Sequence, residues 1–421
     1  MQPLRRPWQR FSWIARVAGT LLVPAICGCA PRIDPRIEDP HARVTRYLDA
    51  LIADGREVGL QYVVVSDQGV VLDYAGGIAD AATGQPVTPE TTFLTASMTK
   101  VLTAAAVLRL VGNGRVELDA PLSRYVPRHP YGTTITVRQL LNHSSGVPNP
   151  LPLRWVHRLD ERDRFDEARA LERVLAENPE LDASPGEEYA YSNLGYWLLG
   201  RVIESASGRP YCEFLRAEVF EPLGIPPAAL DCDVTALGRH ARGHQARWSF
   251  LGLILPFITE SAIWAEPAGK WARFQHLRMN GIAYGGVVGT ARGYATFLHD
   301  LLQPEPRLLD GEGVHLFFSE QRSATGEILP TTLGWHRGTL DGVPYFSKPG
   351  GGPGFSGNLR VYRDRRLATV FLSNRMRVRE AELQEFSDRL DREILQARAQ
   401  AGVRAQARVG GLGERTVDLG R

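Results

Sequence analysis

The chain is nearly without lysine. Of its 49 basic residues only Lys100, Lys270 and Lys348 are lysines; the others are arginine. Arginine stays protonated in proteins, whereas a lysine amine can be tuned to lose its proton. Each of the three is therefore a candidate for chemistry that arginine cannot perform. Net charge is also missing. The 49 basic residues against 47 acidic ones leave +2, spread along the chain, which argues against nucleic acid as the main partner. Cysteine is scarce, and of the four only Cys212 and Cys232 lie in the body of the chain. They can pair in an oxidising compartment or stand as buried free thiols, and their spacing does not decide between the two. The apolar runs Val17 to Ile26 and Phe250 to Ile258 are too short to span a bilayer. The second reads by default as a core helix, with a pocket wall or a membrane-facing patch as the alternatives. There is no G-x-S-x-G, HExxH, P-loop or CxxC motif. His240 and His244 are four apart without the Glu and third ligand of a zinc site, and read as solvated or structural. No metal and no cofactor is expected.

The first thirty residues have the pattern of an export signal. Arg5, Arg6, Arg10 and Arg16 precede the apolar stretch, and no acid occurs before Asp34. The following Ile26-Cys27-Gly28-Cys29-Ala30 resembles a bacterial lipobox, with Cys29 as the lipidated residue. A plain cleaved signal, an uncleaved anchor and a mitochondrial transit peptide are the other readings. Residues 1–29 are thus expected to be a signal and 30–40 a proline-rich tether. The product would be exported, periplasmic or associated with an outer membrane.

Helical periodicity covers His41 to Ala53, with Val44, Tyr47, Leu48 and Leu51 on one stripe. Two β-rich runs, Leu60 to Val65 and Val70 to Tyr74, flank the hairpin signal Ser66-Asp67-Gln68-Gly69. A helix is expected from Ser97 to Val111, stopped by Gly112-Asn113-Gly114. Mostly helical pattern follows, including Val137 to Asn142, Asp163 to Glu177, Leu194 to Ser207 and Thr290 to Leu302. From Thr331 the β-type runs return, through Ser373, before a helix over Glu380 to Gln400. This order predicts an α+β architecture: an antiparallel β-sheet formed from both chain ends with flanking helices (41–118 and 323–400), and an inserted, mostly helical lobe (119–322). Residues 401–421, rich in Gly and Arg, read as a disordered tail.

Ser97-Met98-Thr99-Lys100 opens the helix after Thr95-Ala96. The i, i+3 spacing places hydroxyl and amine on one face, one turn apart. A serine hydroxyl needs a neighbouring base to become a nucleophile. Burial, the helix N-terminus and a second cation all push a lysine toward that role. Tyr191-Ser192-Asn193 precedes the helix from Leu194, and Lys348-Pro349-Gly350 ends a β-type run.

S-x-x-K, Y-x-N and K-x-G in this order resemble the serine β-lactamase and penicillin-binding protein superfamily, and its class C branch with esterase and D-aminopeptidase relatives. The likeness runs from about Leu60 to Leu395 and includes Leu140-Leu141-Asn142-His143-Ser144-Ser145-Gly146. It implies Ser97 as the acylated nucleophile, Lys100 as its proton-relay partner and Tyr191 as general base. Lys348 would lower the Tyr191 pKa and attract a carboxylate. Asn193 would bond Lys100 and the substrate amide. Gly350 and Gly351 would meet substrate, and the backbone N–H groups of Ser97 and Gly351 would form the oxyanion hole. Pro349 stands where β-lactam-active members carry Thr or Ser, so the carboxylate anchor is weakened. The expectation is a serine hydrolase of small esters, amides or peptides, working through an acyl-enzyme and esterase-like. A D,D-carboxypeptidase or β-lactamase, and a catalytically silent envelope-binding lipoprotein, are the alternatives. Glu187 and Glu188 read as a solvated turn, and Lys270 as a surface residue.

Overall fold

The computed structural model describes residues 31–150, 155–377 and 379–413. The signal segment with Cys29 lies outside the described residues. Seven strands form the main sheet: β1 (Gly59–Ser66), β2 (Gly69–Asp80), β3 (Gln85–Pro86), β4 (His336–Leu340), β5 (Val343–Gly352), β6 (Phe355–Tyr362) and β7 (Leu367–Ser373). Their order is β4-β5-β6-β7-β1-β2-β3, and each neighbouring pair is antiparallel. The two ends of the chain meet where β1 pairs with β7, from Leu60 opposite Ser373 to Ser66 opposite Leu367.

Helices α1 (Pro40–Ala53), α2 (Thr99–Gly112), α3 (Asn193–Ser207), α4 (Ala291–Leu301) and α5 (Glu380–Gly413) supply the larger packing surfaces. Asp39 caps α1 by accepting from the amides of His41 and Ala42, donors that the first helical turn leaves unpaired. β1 is buried along its whole length because it has a core on each face. Its alternation survives in the choice of core. Leu60, Tyr62 and Val64 meet α1 and α5, while Val63 and Val65 enter the larger core with α2, α3 and α4. Helix α2 is buried nearly all round, as expected of a helix with no polar face.

The middle of the chain differs from its mostly helical reading in carrying short ladders. Val156–Arg158 pairs with Leu277–Met279, and Trp271–Phe274 lies between His244–Ala246 and Trp264–Ala268. Runs this short have too little alternation to be distinguished from loop. A disulfide joins Cys212 and Cys232, their Cα atoms 5.9 Å apart, which resolves the choice left open above. His240 and His244 are buried rather than solvated. His240 Nδ1 meets Thr92 Oγ1 at 3.0 Å, and His244 Nε2 accepts from the Ala81 amide. Helix α5 continues past Gln400 to Gly413, through part of the stretch expected to be disordered. Ala, Arg and Gln, good helix formers, fill much of it between the glycines. The run Phe250–Ile258 is a helix, but it lies on the surface and not in the core.

Candidate active site

Ser97 lies in a 3-10 turn, Ala96–Met98, that leads into α2. Ala96 before it takes a left-handed φ of 47°, a conformation that costs a non-glycine residue energy and persists only where its surroundings enforce it. The enforcement is visible. Thr95 Oγ1 bonds the Val287 carbonyl at 2.7 Å and the Tyr294 hydroxyl at 3.0 Å, and the Val287 amide donates to Thr99 Oγ1. From the other side β5 presses on the turn. A Cβ at Gly350 would stand 2.5 Å from the Thr95 carbonyl oxygen, so only glycine permits that approach. Gly350 is buried, and its first duty is this packing, although it also reaches the cavity wall.

Around Ser97 Oγ the expected groups converge. Lys100 Nζ is 3.1 Å away and the Tyr191 hydroxyl 2.9 Å away. Lys100 is wholly buried, and its Nζ also donates to Asn193 Oδ1 at 2.8 Å and to the Tyr284 carbonyl at 2.6 Å. Among the described residues no carboxylate is a hydrogen-bond partner of Lys100. Burial first, and then the charge of Lys348, hold its pKa well below the ordinary lysine value. A neutral amine has two N–H groups and one lone pair. The two carbonyl oxygens take the N–H groups, and the third direction faces Ser97 Oγ.

Lys348 is equally buried, and burial brings its pKa down to about 7, opposed in part by the carboxylate of Glu380. Its Nζ lies 5.3 Å from the Tyr191 ring centroid, with Lys100 Nζ at 5.1 Å. The lowered Tyr191 pKa that the resemblance implies is not what this arrangement favours. Burial pushes the Tyr191 pKa up, and the same burial lowers the pKa of both lysines whose charge would have drawn it down. Tyr191 therefore keeps its proton, while Lys100 gives its proton up more readily than an ordinary lysine.

Asn193 bonds Lys100 as expected, but its Nδ2 donates to Asn149 Oδ1 at 3.1 Å. Its amide is occupied on both sides, and it stands behind the cavity wall rather than in it. The cavity over Ser97 has a volume of about 440 Å³ and is walled by Tyr189, Tyr191, His336, Gly351, Arg379 and Glu380 among others. Gly351 is exposed there, with open space where a Cβ would be. Glu187 and Glu188 are exposed and stand apart from this cavity.

Two histidines complete the surroundings. His143, in the left-handed region at φ 59°, stacks on Tyr191 with ring centroids 4.4 Å apart. Its Nδ1 accepts from the Ser192 amide, and its carbonyl accepts from Ala190. The Leu140–Gly146 segment is thus the brace of the Tyr191 loop. His336 on β4 places Nε2 3.4 Å from Lys348 Nζ and forms part of the cavity wall. The sequence reading did not reach His336, Tyr189, Arg379 or Glu380. No motif marks them; the register that sets His336 opposite Ser347 is what brings it beside Lys348.

A serine–lysine–tyrosine cluster around a buried amine, at the junction of an antiparallel sheet and a helical lobe, defines a serine hydrolase of the β-lactamase and penicillin-binding protein type. The chain belongs to the β-lactamase family, whose model matches residues 44–391. Penicillin-binding protein 4 of Amycolatopsis lactamdurans is 27% identical over 348 residues, 79% of this chain and 85% of that protein. Esterase EstB of Burkholderia gladioli is 36% identical over 199 residues, 44% of this chain and 50% of that protein. Among solved structures, the D-amino acid amidase from Ochrobactrum anthropi SV3 shares the fold with a TM-score of 0.71 at 23% identity, covering 86% of this chain and 100% of that one.

Proposed function

We propose that this chain is an exported hydrolase that cleaves simple esters and amides through an acyl-enzyme on Ser97. The observation that carries the reading is the placement of Ser97 Oγ between Lys100 Nζ at 3.1 Å and the Tyr191 hydroxyl at 2.9 Å. Neutral Lys100 takes the Ser97 proton as Oγ attacks the carbonyl carbon. The charge on the carbonyl oxygen falls to the backbone N–H groups of Ser97 and Gly351. Tyr191 gives its proton to the departing alkoxide or amine as the C–O or C–N bond breaks. It regains a proton from Lys100, which contacts the same Ser97 oxygen. In deacylation the relay runs backwards: Tyr191 passes its proton to Lys100 and takes one from the attacking water, and Lys100 returns a proton to Ser97 Oγ as the acyl C–O bond breaks.

Export is supported by the arginine-flanked apolar N-terminus and by the Cys212–Cys232 disulfide, a bond suited to oxidising compartments. The esterase preference rests on Pro349, which brings neither a hydroxyl nor an N–H to the place where β-lactam-active enzymes hold a carboxylate. A likeness to the D-alanyl-D-alanine-carboxypeptidase/endopeptidase AmpH of Escherichia coli, 30% identical over 197 residues, favours a D,D-peptidase as the second reading. Intact-mass analysis with a fluorophosphonate tests the proposal. One adduct on wild type and none on Ser97→Ala is expected, with ester turnover falling about 10³-fold or more in the variant. Equal labelling of the two chains contradicts the proposal. Nitrocefin turnover matching that of esters would reverse the ranking of substrates.

A further inference from the structure

The helix Phe250–Ile258 has apolar side chains on every face, which in a soluble protein is the mark of a buried helix. Only one face is covered. Gly252 and Leu255 turn inward, and a Cβ at Gly252 would collide with the Ala246 carbonyl, so the helix is seated hard on the body. Both ends are tied. Ser249 caps the first turn through the Gly252 amide at 3.0 Å, and Trp264 Nε1 holds Thr259 Oγ1 at 2.9 Å. The outward face is therefore held in place. It carries Phe250, Leu253 and Phe257 at i, i+3 and i+7, and Phe257 is 88% exposed. Trp248 before the helix is 72% exposed, and Ile258 at its end is half-exposed. Among the described residues nothing covers these side chains.

We propose that this face docks on a lipid bilayer. Three observations favour that occupant. The patch joins Trp and Phe with aliphatic side chains on a short helix, the composition that settles at the headgroup boundary. Arg247 stacks on Trp248 at 5.3 Å, and Lys270 lies over Trp271 at 5.5 Å, so cations border the apolar surface where anionic headgroups would lie. The undescribed residues 1–30 hold the basic and apolar segment that ends in Cys29. The described chain starts at residue 31, just before α1, whose far end (Leu51, Gly55) borders the groove beside Trp248 and Lys270. A 14-residue helix spans about 21 Å, so a chain inserted or lipidated near Cys29 holds the patch close to the same membrane. The docking does not depend on the catalytic reading, and its test does not use hydrolysis as evidence.

Full-length wild type and Trp248→Phe are mixed with vesicles of phosphatidylethanolamine and phosphatidylglycerol, with and without brominated acyl chains. The difference between the two proteins isolates Trp248 from Trp8 and Trp13 near the N-terminus. Bromine is expected to quench a component of wild-type emission that Trp248→Phe lacks, and Phe257→Asp should weaken vesicle partitioning about tenfold while leaving turnover of a soluble ester unchanged. Equal quenching of wild type and Trp248→Phe would overturn the proposal. So would self-association in the absence of lipid that Phe257→Asp abolishes, which would make the patch an interface between copies.

Discussion

Two buried charged clusters lie near opposite faces of the main sheet, and they are built on opposite rules. Behind β6, Arg360 is wholly buried and bonds Asp391 at 3.3 Å, Asp388 at 2.7 Å and the Gln384 side chain at 2.7 Å. Asp391 also accepts from Tyr62, Tyr362 and Thr369. Every charge has a counter-charge. Near Ser97, Lys100 and Lys348 are as deeply buried, yet their hydrogen-bond partners among the described residues are carbonyls, a hydroxyl and an imidazole. A paired cation keeps its proton and ties α5 to the sheet. An unpaired one gives its proton up and becomes a base. The chain uses arginine for the first task and two of its three lysines for the second.

The sharpest way to break this contrast is to remove one cation from each cluster. Arg360→Met leaves Asp391 buried without its counter-charge and should cost about 3–5 kcal/mol in a denaturant titration. Lys348→Met removes a buried amine that lacks such a partner. It should raise stability by about 1 kcal/mol while lowering ester turnover. Equal losses of stability from the two variants would show that the clusters do not differ in kind.

A smaller effect lies in pH. Lys348 titrates at about 7, so it is a cation below that pH and neutral above it. For an ester carrying a carboxylate, KM should rise a few-fold as pH increases through 7, and the matched neutral ester should show no such step. Glu380 opposes the fall of the Lys348 pKa; Glu380→Gln should move the step to lower pH. The same step with the neutral ester would remove Lys348 from substrate attraction.

The contrast also explains what could be read from the sequence. β1 and β7 show as apolar runs because the sheet centre is buried on both faces, and rare lysines in spaced motifs point to Ser97, Lys100, Tyr191 and Lys348. The protonation pattern was not legible, because it depends on how deeply Tyr191 and both lysines are buried. Nor was His336, which reaches the site through the pairing of β4 with β5, or Glu380, which arrives with the first turn of a helix more than 280 residues after Ser97. The helix Phe250–Ile258 misled for a related reason: its composition is that of a core helix, and only the fold shows half of it facing outward.

The central claim is that burial holds the Lys100 pKa well below the ordinary lysine value and so makes it the base for Ser97. The rate of fluorophosphonate labelling of Ser97, followed by mass from pH 5 to pH 10, tests it most directly. The rate should reach its plateau well below the ordinary lysine value of 10.5. A rate that still climbs about tenfold per pH unit up to pH 10 would mean that Lys100 titrates like an ordinary lysine, and would contradict the account.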